Sequence, residues 1–350
     1  MLWVAIIKKI WKNLCKGGIA VELKKENLEK ILTALSQLGK VLIPGTVDGV
    51  KKFAPYTPGG ECDLDMVNTT LPPKDVLFPQ TQKMYRFTTG PEASLEEIAD
   101  ADAQILFGIR PCDVQSIDCL DKIFLSGEYT DTFYARKRAK LTIVAIACTQ
   151  AAPACFCGSM GVEPGAAPGA DILLAPTAGG WNIHCQSDKG TAVLAALSGL
   201  TEEAEGRALP VAEPSLKVDM TGVTEKLAAM FEHPLWDELY RPCLGCGTCT
   251  FACPTCYCFE MGPQMRGACG TEMRYWDSCM FSEYTRMAGG HNPRPSQKER
   301  LRNRYLHKLS FFAERYGQSL CVGCGRCIEK CPVGLDITGV IEMCGEVETI

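Results

Sequence analysis

Cys243-Leu244-Gly245-Cys246-Gly247-Thr248-Cys249-Thr250-Phe251-Ala252-Cys253-Pro254 is answered later in the chain by Cys321-Val322-Gly323-Cys324-Gly325-Arg326-Cys327-Ile328-Glu329-Lys330-Cys331-Pro332. Both stretches read C-x2-C-x2-C-x3-C-P. A tight loop brings three thiolates to one small volume. The fourth cannot join them without strain, and the Pro after it stops a helix from starting too soon. The fourth thiolate therefore serves the other site. Cys243, Cys246, Cys249 and Cys331 are expected around one [4Fe–4S] cluster, and Cys321, Cys324, Cys327 and Cys253 around a second. Gly245, Gly247, Gly323 and Gly325 stand between ligands, where a missing side chain lets backbone N–H groups approach the sulfides. The alternative is zinc. Zinc sites read as two separated C-x2-C knuckles, with no third nearby Cys and no trailing Pro.

The 350 residues suffice for two domains with a sizeable core. An apolar share of 46% against 22% charged describes a globular chain rather than a disordered one. A net charge of −5 argues against nucleic acid as the main partner, since phosphate binding needs a basic surface. Cysteine is abundant, at 21 residues. With no signal peptide and with cluster-type spacing, that count reads as a reducing, anaerobic cytoplasm rather than a disulfide scaffold.

No stretch is long enough to span a membrane. Leu2 to Ile7 is the longest apolar run near the start and is far too short. Residues 1–20 read in two ways. One is an amphipathic basic helix for a membrane surface or a partner. The other is a mis-assigned extension: Lys16-Gly17-Gly18 is what a ribosome-binding sequence would encode, and Val21 follows at the spacing of a start codon.

Apolar periodicity divides the remainder at about residue 215. In 21–215, Leu28, Ile31, Leu32, Leu35 and Leu38 predict a helix stopped by Gly39. Strands broken by Pro and Gly follow from Val41. Ser94 is expected to cap a short acidic helix over Leu95 to Ala99. Ile105 to Ile109 reads as a strand, Val114 to Phe124 as a helix, and Leu141 to Ala147 and Ile172 to Leu174 as strands. That order predicts an α/β domain with a parallel or mixed sheet. Leu200 to Val218, with two prolines, reads as linker. In 216–350, Val223 to Phe231 is helical. Leu301, Tyr305, Leu309 and Phe312 share one face of a helix ended by Gly317. The insert between the Cys motifs, Pro254 to Leu320, exceeds what a compact ferredoxin needs, so a mainly α-helical two-cluster ferredoxin domain is expected.

Four further cysteines fall in the α/β half. Cys112 and Cys148 each follow the C-terminal end of an expected strand, the edge where open parallel sheets bind ligands. Cys155-Phe156-Cys157 adds two thiolates in a loop bounded by Gly158 and Gly161. Together they supply the four soft ligands of a third [4Fe–4S] cluster, with Asp113 an alternative to Cys112. The competing reading is small buried core residues. Cys256, Cys258 and Cys279 either bind something together or pack beside the first cluster as structural thiols. A basic run, Arg294 with Arg300, Arg302, Arg304, His307 and Lys308, is either a docking face for an acidic partner or flavin phosphate, or a solvated helix face that offsets cluster charge. There is no Gly-x-Gly-x-x-Gly fingerprint, no P-loop and no nucleophile–base pair.

Arg110-Pro111-Cys112-Asp113, the Cys148…Cys155-Phe156-Cys157 loop, Cys253-Pro254-Thr255-Cys256-Tyr257-Cys258, Trp276-Asp277-Ser278-Cys279 and Gly290-His291-Asn292-Pro293-Arg294 occur in this order. With these segments the chain resembles, from about Val21 to its end, the β subunit of soluble nickel–iron hydrogenases (sulfhydrogenases) and the A subunit of anaerobic sulfite reductase. The resemblance implies an electron relay between a flavoprotein that handles NAD(P)H and a separate catalytic subunit, whether hydrogenase, sulfite reductase or heterodisulfide-reductase type. Such a subunit would not be catalytic alone. Two other classes stay open at this point. An enzyme with a catalytic cluster would show a free coordination position. A redox sensor would call for a signalling module, and none is visible.

Overall fold

The computed structural model describes residues 21–99, 102–204 and 206–347. The proposed extension over 1–20 lies outside them. Among the described residues, twelve strands form two sheets: β1 (Val21–Lys24), β2 (Lys40–Val47), β3 (Val50–Pro55), β4 (Thr81–Thr88), β5 (Ser94–Glu97), β6 (Gln104–Ile109), β7 (Leu141–Ile146), β8 (Ile172–Pro176), β9 (Gly180–Cys185), β10 (Thr201–Glu203), β11 (Phe259–Arg266) and β12 (Cys269–Trp276). The first sheet has eight strands in the order β10-β1-β9-β8-β7-β6-β2-β3. Its centre, β2-β6-β7-β8, is parallel and both flanks are antiparallel. The N-terminal half is thus α/β with a mixed sheet.

Alternation explains how this sheet is buried on both faces. Ile105, Phe107, Val144 and Ile146 face the helices Leu28–Ser36 and Asp188–Ala196, against Ile31, Leu35 and Leu194. Leu106, Ile143, Ala145 and Leu173 face the other way, onto Ile117, Leu120 and Phe124 of the helix Pro111–Phe124. The expected linker contains β10, which pairs with β1. Ala212 beyond it donates its N–H to Cys148 O at 2.8 Å. That stretch is therefore wall rather than tether.

Two features aim the chain at its cysteines. Near the end of β6 the register slips at Gly108, whose φ of 83° no side chain would accept readily. A Cβ there would meet Leu64 Cδ2 at 2.5 Å. This bulge redirects the strand end that leads into Cys112. The crossover from β7 to β8 contains no α-helix. An ordinary parallel unit packs a helix there, but this one uses residues 147–171 to carry Cys148, Cys155 and Cys157.

Two expectations are corrected. Ser94–Glu97 is not a helix. It pairs antiparallel with β4, where Glu96 lies 3.8 Å from Arg86 and Glu97 forms an ion pair with Arg136. The insert is not all helical either. β11 and β12 form a hairpin closed by Gly267-Ala268, with Gly267 at φ 62°, the first central position of a two-residue turn that favours Gly. β12 pairs with β4, giving a second, antiparallel sheet in the order β11-β12-β4-β5. This sheet joins the N-terminal half to the insert. Around it the C-terminal half carries short helices, with Val223, Leu227, Trp236, Leu301, Tyr305 and Ile341 in one core. Among the described residues, no helix is long and apolar enough to cross a membrane.

Candidate iron–sulfur sites

Both Cys motifs fold the same way. Each loop ends in one helical turn, Thr248–Phe251 or Arg326–Glu329. Gly245 and Gly323 sit at φ 66° and 63°, Gly247 and Gly325 at 75° and 76°. The loops are pressed against neighbours at these glycines. A Cβ on Gly247 would meet Phe281 Cζ at 2.8 Å, and one on Gly325 would meet Ala154 O at 2.5 Å.

Cys243, Cys246, Cys249 and Cys331 line one cavity, so the first three thiols of one motif meet the last thiol of the other. Gln297 Nε2 and Gly245 N donate to Cys243 Sγ at 3.1 and 3.4 Å, and Leu335 N donates to Cys331 Sγ at 3.2 Å. Such donors are those expected around thiolate ligands, where they hold the sulfur and stabilise its charge. Arg304 and Tyr305 also line this cavity. Arg304 Nε and Tyr305 Oη are buried there without a hydrogen-bond partner. Buried donors rarely stay unpaired. An anionic cluster with sulfide acceptors in the cavity would satisfy them, so the residues fit the group.

The second set is linked through Cys253, which interacts electrostatically with Cys321, Cys324 and Cys327. Lys308 Nζ donates to Cys253 Sγ at 3.3 Å and to Leu320 O at 2.9 Å, and Thr255 Oγ1 lies 3.1 Å from the same sulfur. Lys308 sits on a π-helical turn, His307–Phe311, that interrupts the helix between Leu306 and Phe312. Such turns mark places where a side chain must be re-aimed. Part of the basic run turns inward rather than lying solvated. Arg300, Arg304 and Lys308, four residues apart, are all buried. Arg304 acts on Cys249 and Cys327, and Lys308 on Cys253 and Cys321, so these cations lie between the two sites and offset thiolate charge. Arg302 turns outward to Glu232.

Cys112, Cys148, Cys155 and Cys157 line a further cavity at the C-terminal edge of β6 and β7, and Cys324 of the second motif lines it too. Phe156 N donates to Gly323 O at 2.8 Å, and a Cβ on Gly323 would lie 2.6 Å from Cys157 Cα. The two cysteine loops thus touch backbone to backbone. Arg110 secures the edge by donating to Leu64 O and Met66 O at 2.5 and 2.7 Å. Asn68 Nδ2 donates to Cys324 O at 2.8 Å. Asp113 does not face the cavity as a ligand. Its carboxylate takes a bidentate pair of bonds from Arg326, at 2.6 and 2.7 Å, with both side chains almost fully buried.

Burial raises the Cys148 thiol to about 11 and the Cys327 thiol to about 12. Left alone these groups stay protonated, so any metal bound there would displace the protons. Among the described residues, no three His, Cys, Asp or Glu side chains converge on a point that would hold a single metal ion. The thiols surround cavities instead.

A globular chain in which the first three thiols of one motif meet the last thiol of the other is an iron–sulfur protein of the dicluster type. Residues 242–335 match the family described as 4Fe-4S dicluster domain. Over 335 residues the chain is 32% identical to sulfhydrogenase 2 subunit beta of Pyrococcus furiosus, covering 92% of this chain and 97% of that protein. It belongs to the family of sulfhydrogenase β subunits. No solved structure matches it.

Cys258 and Cys279 pack in the same core as Cys243 and Cys249, as structural thiols beside the first cluster would, whereas the burial of Lys308 and Arg304 is not apparent from a basic run. The inward spacing of residues 300, 304 and 308, one helical turn apart, was the available signal.

Proposed function

We propose that this chain is an electron-relay subunit carrying three [4Fe–4S] clusters and standing between a flavoprotein that handles NAD(P)H and a separate catalytic subunit. Each cluster would accept and release one electron at a time. The observation that carries the reading is the continuity of the cysteine sites. Cys324 borders the Cys112/Cys148/Cys155/Cys157 cavity, and Arg304 touches the charge of both motif sites. The chain's own residues hold the thiols, exclude water and place buried cations beside them. Kinship with a hydrogenase β subunit supports an assembly with other subunits. The catalytic partner in this reading is of hydrogenase, sulfite-reductase or heterodisulfide-reductase type.

Native co-purification under anaerobic conditions tests the relay. A flavin-binding subunit should accompany the chain, and the isolated chain should not oxidise NAD(P)H. An active single-chain reductase with its own flavin would sink the reading.

The ligand exchange between motifs has its own test. Cys253→Ser should perturb the cluster held by Cys321, Cys324 and Cys327, because the Cys253 sulfur sits with that set and receives the Lys308 ammonium. Electron paramagnetic resonance showing damage confined to the Cys243/Cys246/Cys249 cluster would contradict the assignment.

A further inference from the structure

Outside the three cysteine sets, two more thiols meet. Cys258 immediately precedes β11, and Cys279 lies just beyond β12. The hairpin registers Phe259 opposite Trp276, and Asp277 N donates to Cys258 O at 3.0 Å, so its open end holds the two cysteines together. Their side chains pack side by side in one apolar core. The Cys279 backbone and the Tyr284 side chain lie beside the Cys258 sulfur. Ser278 Oγ accepts from Met280 N at 3.1 Å and from Thr250 Oγ1 at 2.8 Å, which ties the Cys279 turn to the first motif. Cys279 belongs to the same apolar core that Cys243 and Cys249 pack against, and it senses the charge of Cys249.

We propose that Cys258 and Cys279 form a two-electron dithiol–disulfide centre, separate from the cluster thiols and exchanging electrons with them. The geometry suits that chemistry. Polar groups of Cys279 and Tyr284 beside one sulfur are how a protein stabilises a thiolate, and the partner thiol lies next to it. In keeping with this, the adjoining Cys279 side chain brings the Cys258 thiol down to about 6. Closing the bond needs the sulfurs to approach to about 2.0 Å. Cys279 sits in a turn rather than a strand, where the backbone can yield.

The balance is simple. The Cys258 thiolate and the Cys279 thiol become one S–S bond, one proton passes to water, and two electrons leave singly to two oxidised [4Fe–4S] centres. In reverse, two reduced centres and one proton restore the thiolate and the thiol. The electron acceptors rest on the proposed relay; the dithiol itself does not. Such a pair would couple one-electron carriers to a two-electron reservoir inside the chain. Cys279 is buried, so the pair exchanges with internal centres rather than with large external disulfides.

The experiment poises anaerobic holoprotein in mixtures of reduced and oxidised dithiothreitol, alkylates it with N-ethylmaleimide and maps the peptides by mass spectrometry. A Cys258–Cys279 linkage should appear and reverse, its disulfide-to-dithiol ratio changing tenfold for each tenfold change in the buffer ratio, as two-electron exchange requires. Cys258→Ser and Cys279→Ser should each abolish the linkage while keeping wild-type iron content and cluster signals. Absence of the linkage at every ratio in the wild type overturns the proposal. So does loss of about four iron atoms in either variant, which would mark these thiols as ligands of a cubane. Wild-type protein that forms the linkage but lacks iron would instead sink the relay reading and leave the dithiol standing.

Discussion

Anaerobically isolated protein should contain about 12 iron atoms, four for each of three cubanes, and Cys155→Ser/Cys157→Ser should remove about four of them. The expectation follows from where the thiols come together. Cys112 begins a helix after β6, Cys148 follows β7, and Cys155 and Cys157 lie in the crossover to β8. Core cysteines have no reason to share one edge of a sheet. These four do, around one cavity, beside Cys324. The double variant leaves all eight thiols of the two motifs in place, so the signals of the two ferredoxin-type clusters should persist. One effect at a distance is expected, because the altered loop abuts Gly323 and Gly325. The second-motif cluster should shift slightly in its resonance line shape while the Cys243/Cys246/Cys249/Cys331 cluster stays unchanged. Iron content equal to wild type in the double variant would rule out the third cluster.

The fold of the first half was legible because a buried parallel sheet writes itself into sequence as short apolar runs. Ile105 to Ile109, Leu141 to Ala147 and Ile172 to Leu174 are each followed by turn or loop residues, and all three became strands at the centre of the sheet. The two motifs were legible for a different reason. Fixed thiol spacing is a geometric demand of the ligand, so it survives whatever fold surrounds it. The second sheet was not legible. Ser94–Glu97 is exposed along its length and so lacks an apolar alternation; pairing with β4 decides its conformation, which no local rule contains. The hairpin did carry a signal, a Gly-led two-residue turn between Arg266 and Cys269, but β11 is mostly exposed and β12 about half-buried, and their polar residues mask the period of two. The buried cations were hidden for a third reason. A run of Arg and Lys ordinarily lies in solvent, and only the presence of thiolates behind the helix makes burial of Arg304 and Lys308 favourable.

Asp113→Asn should destabilise the protein by about 3 kcal/mol, the lower end of what breaking a buried ion pair produces. Asp113 follows Cys112, and Arg326 lies between Cys324 and Cys327, so this pair bolts the α/β edge to the second motif. Burial opposes the Arg326 charge, and the Asp113 carboxylate offsets that penalty. Asn keeps the size and one acceptor but removes the compensating charge, leaving a guanidinium in an interior that excludes water. Nearby Cys324 and Cys112 would carry negative charge as iron ligands, which would soften the penalty and sets the estimate low in the range. Arg326 Nε would still donate to Thr69 O at 2.7 Å, so the side chain has no route out to solvent. The measurement is the urea midpoint of anaerobic holoprotein, followed by iron release. Iron should leave the Cys321/Cys324/Cys327 and Cys112/Cys148/Cys155/Cys157 sites before the remaining site. Asp113→Leu/Arg326→Met should recover most of the loss, since it removes both charges together. An Asp113→Asn midpoint equal to wild type would mean that the pair does not clamp the two sites.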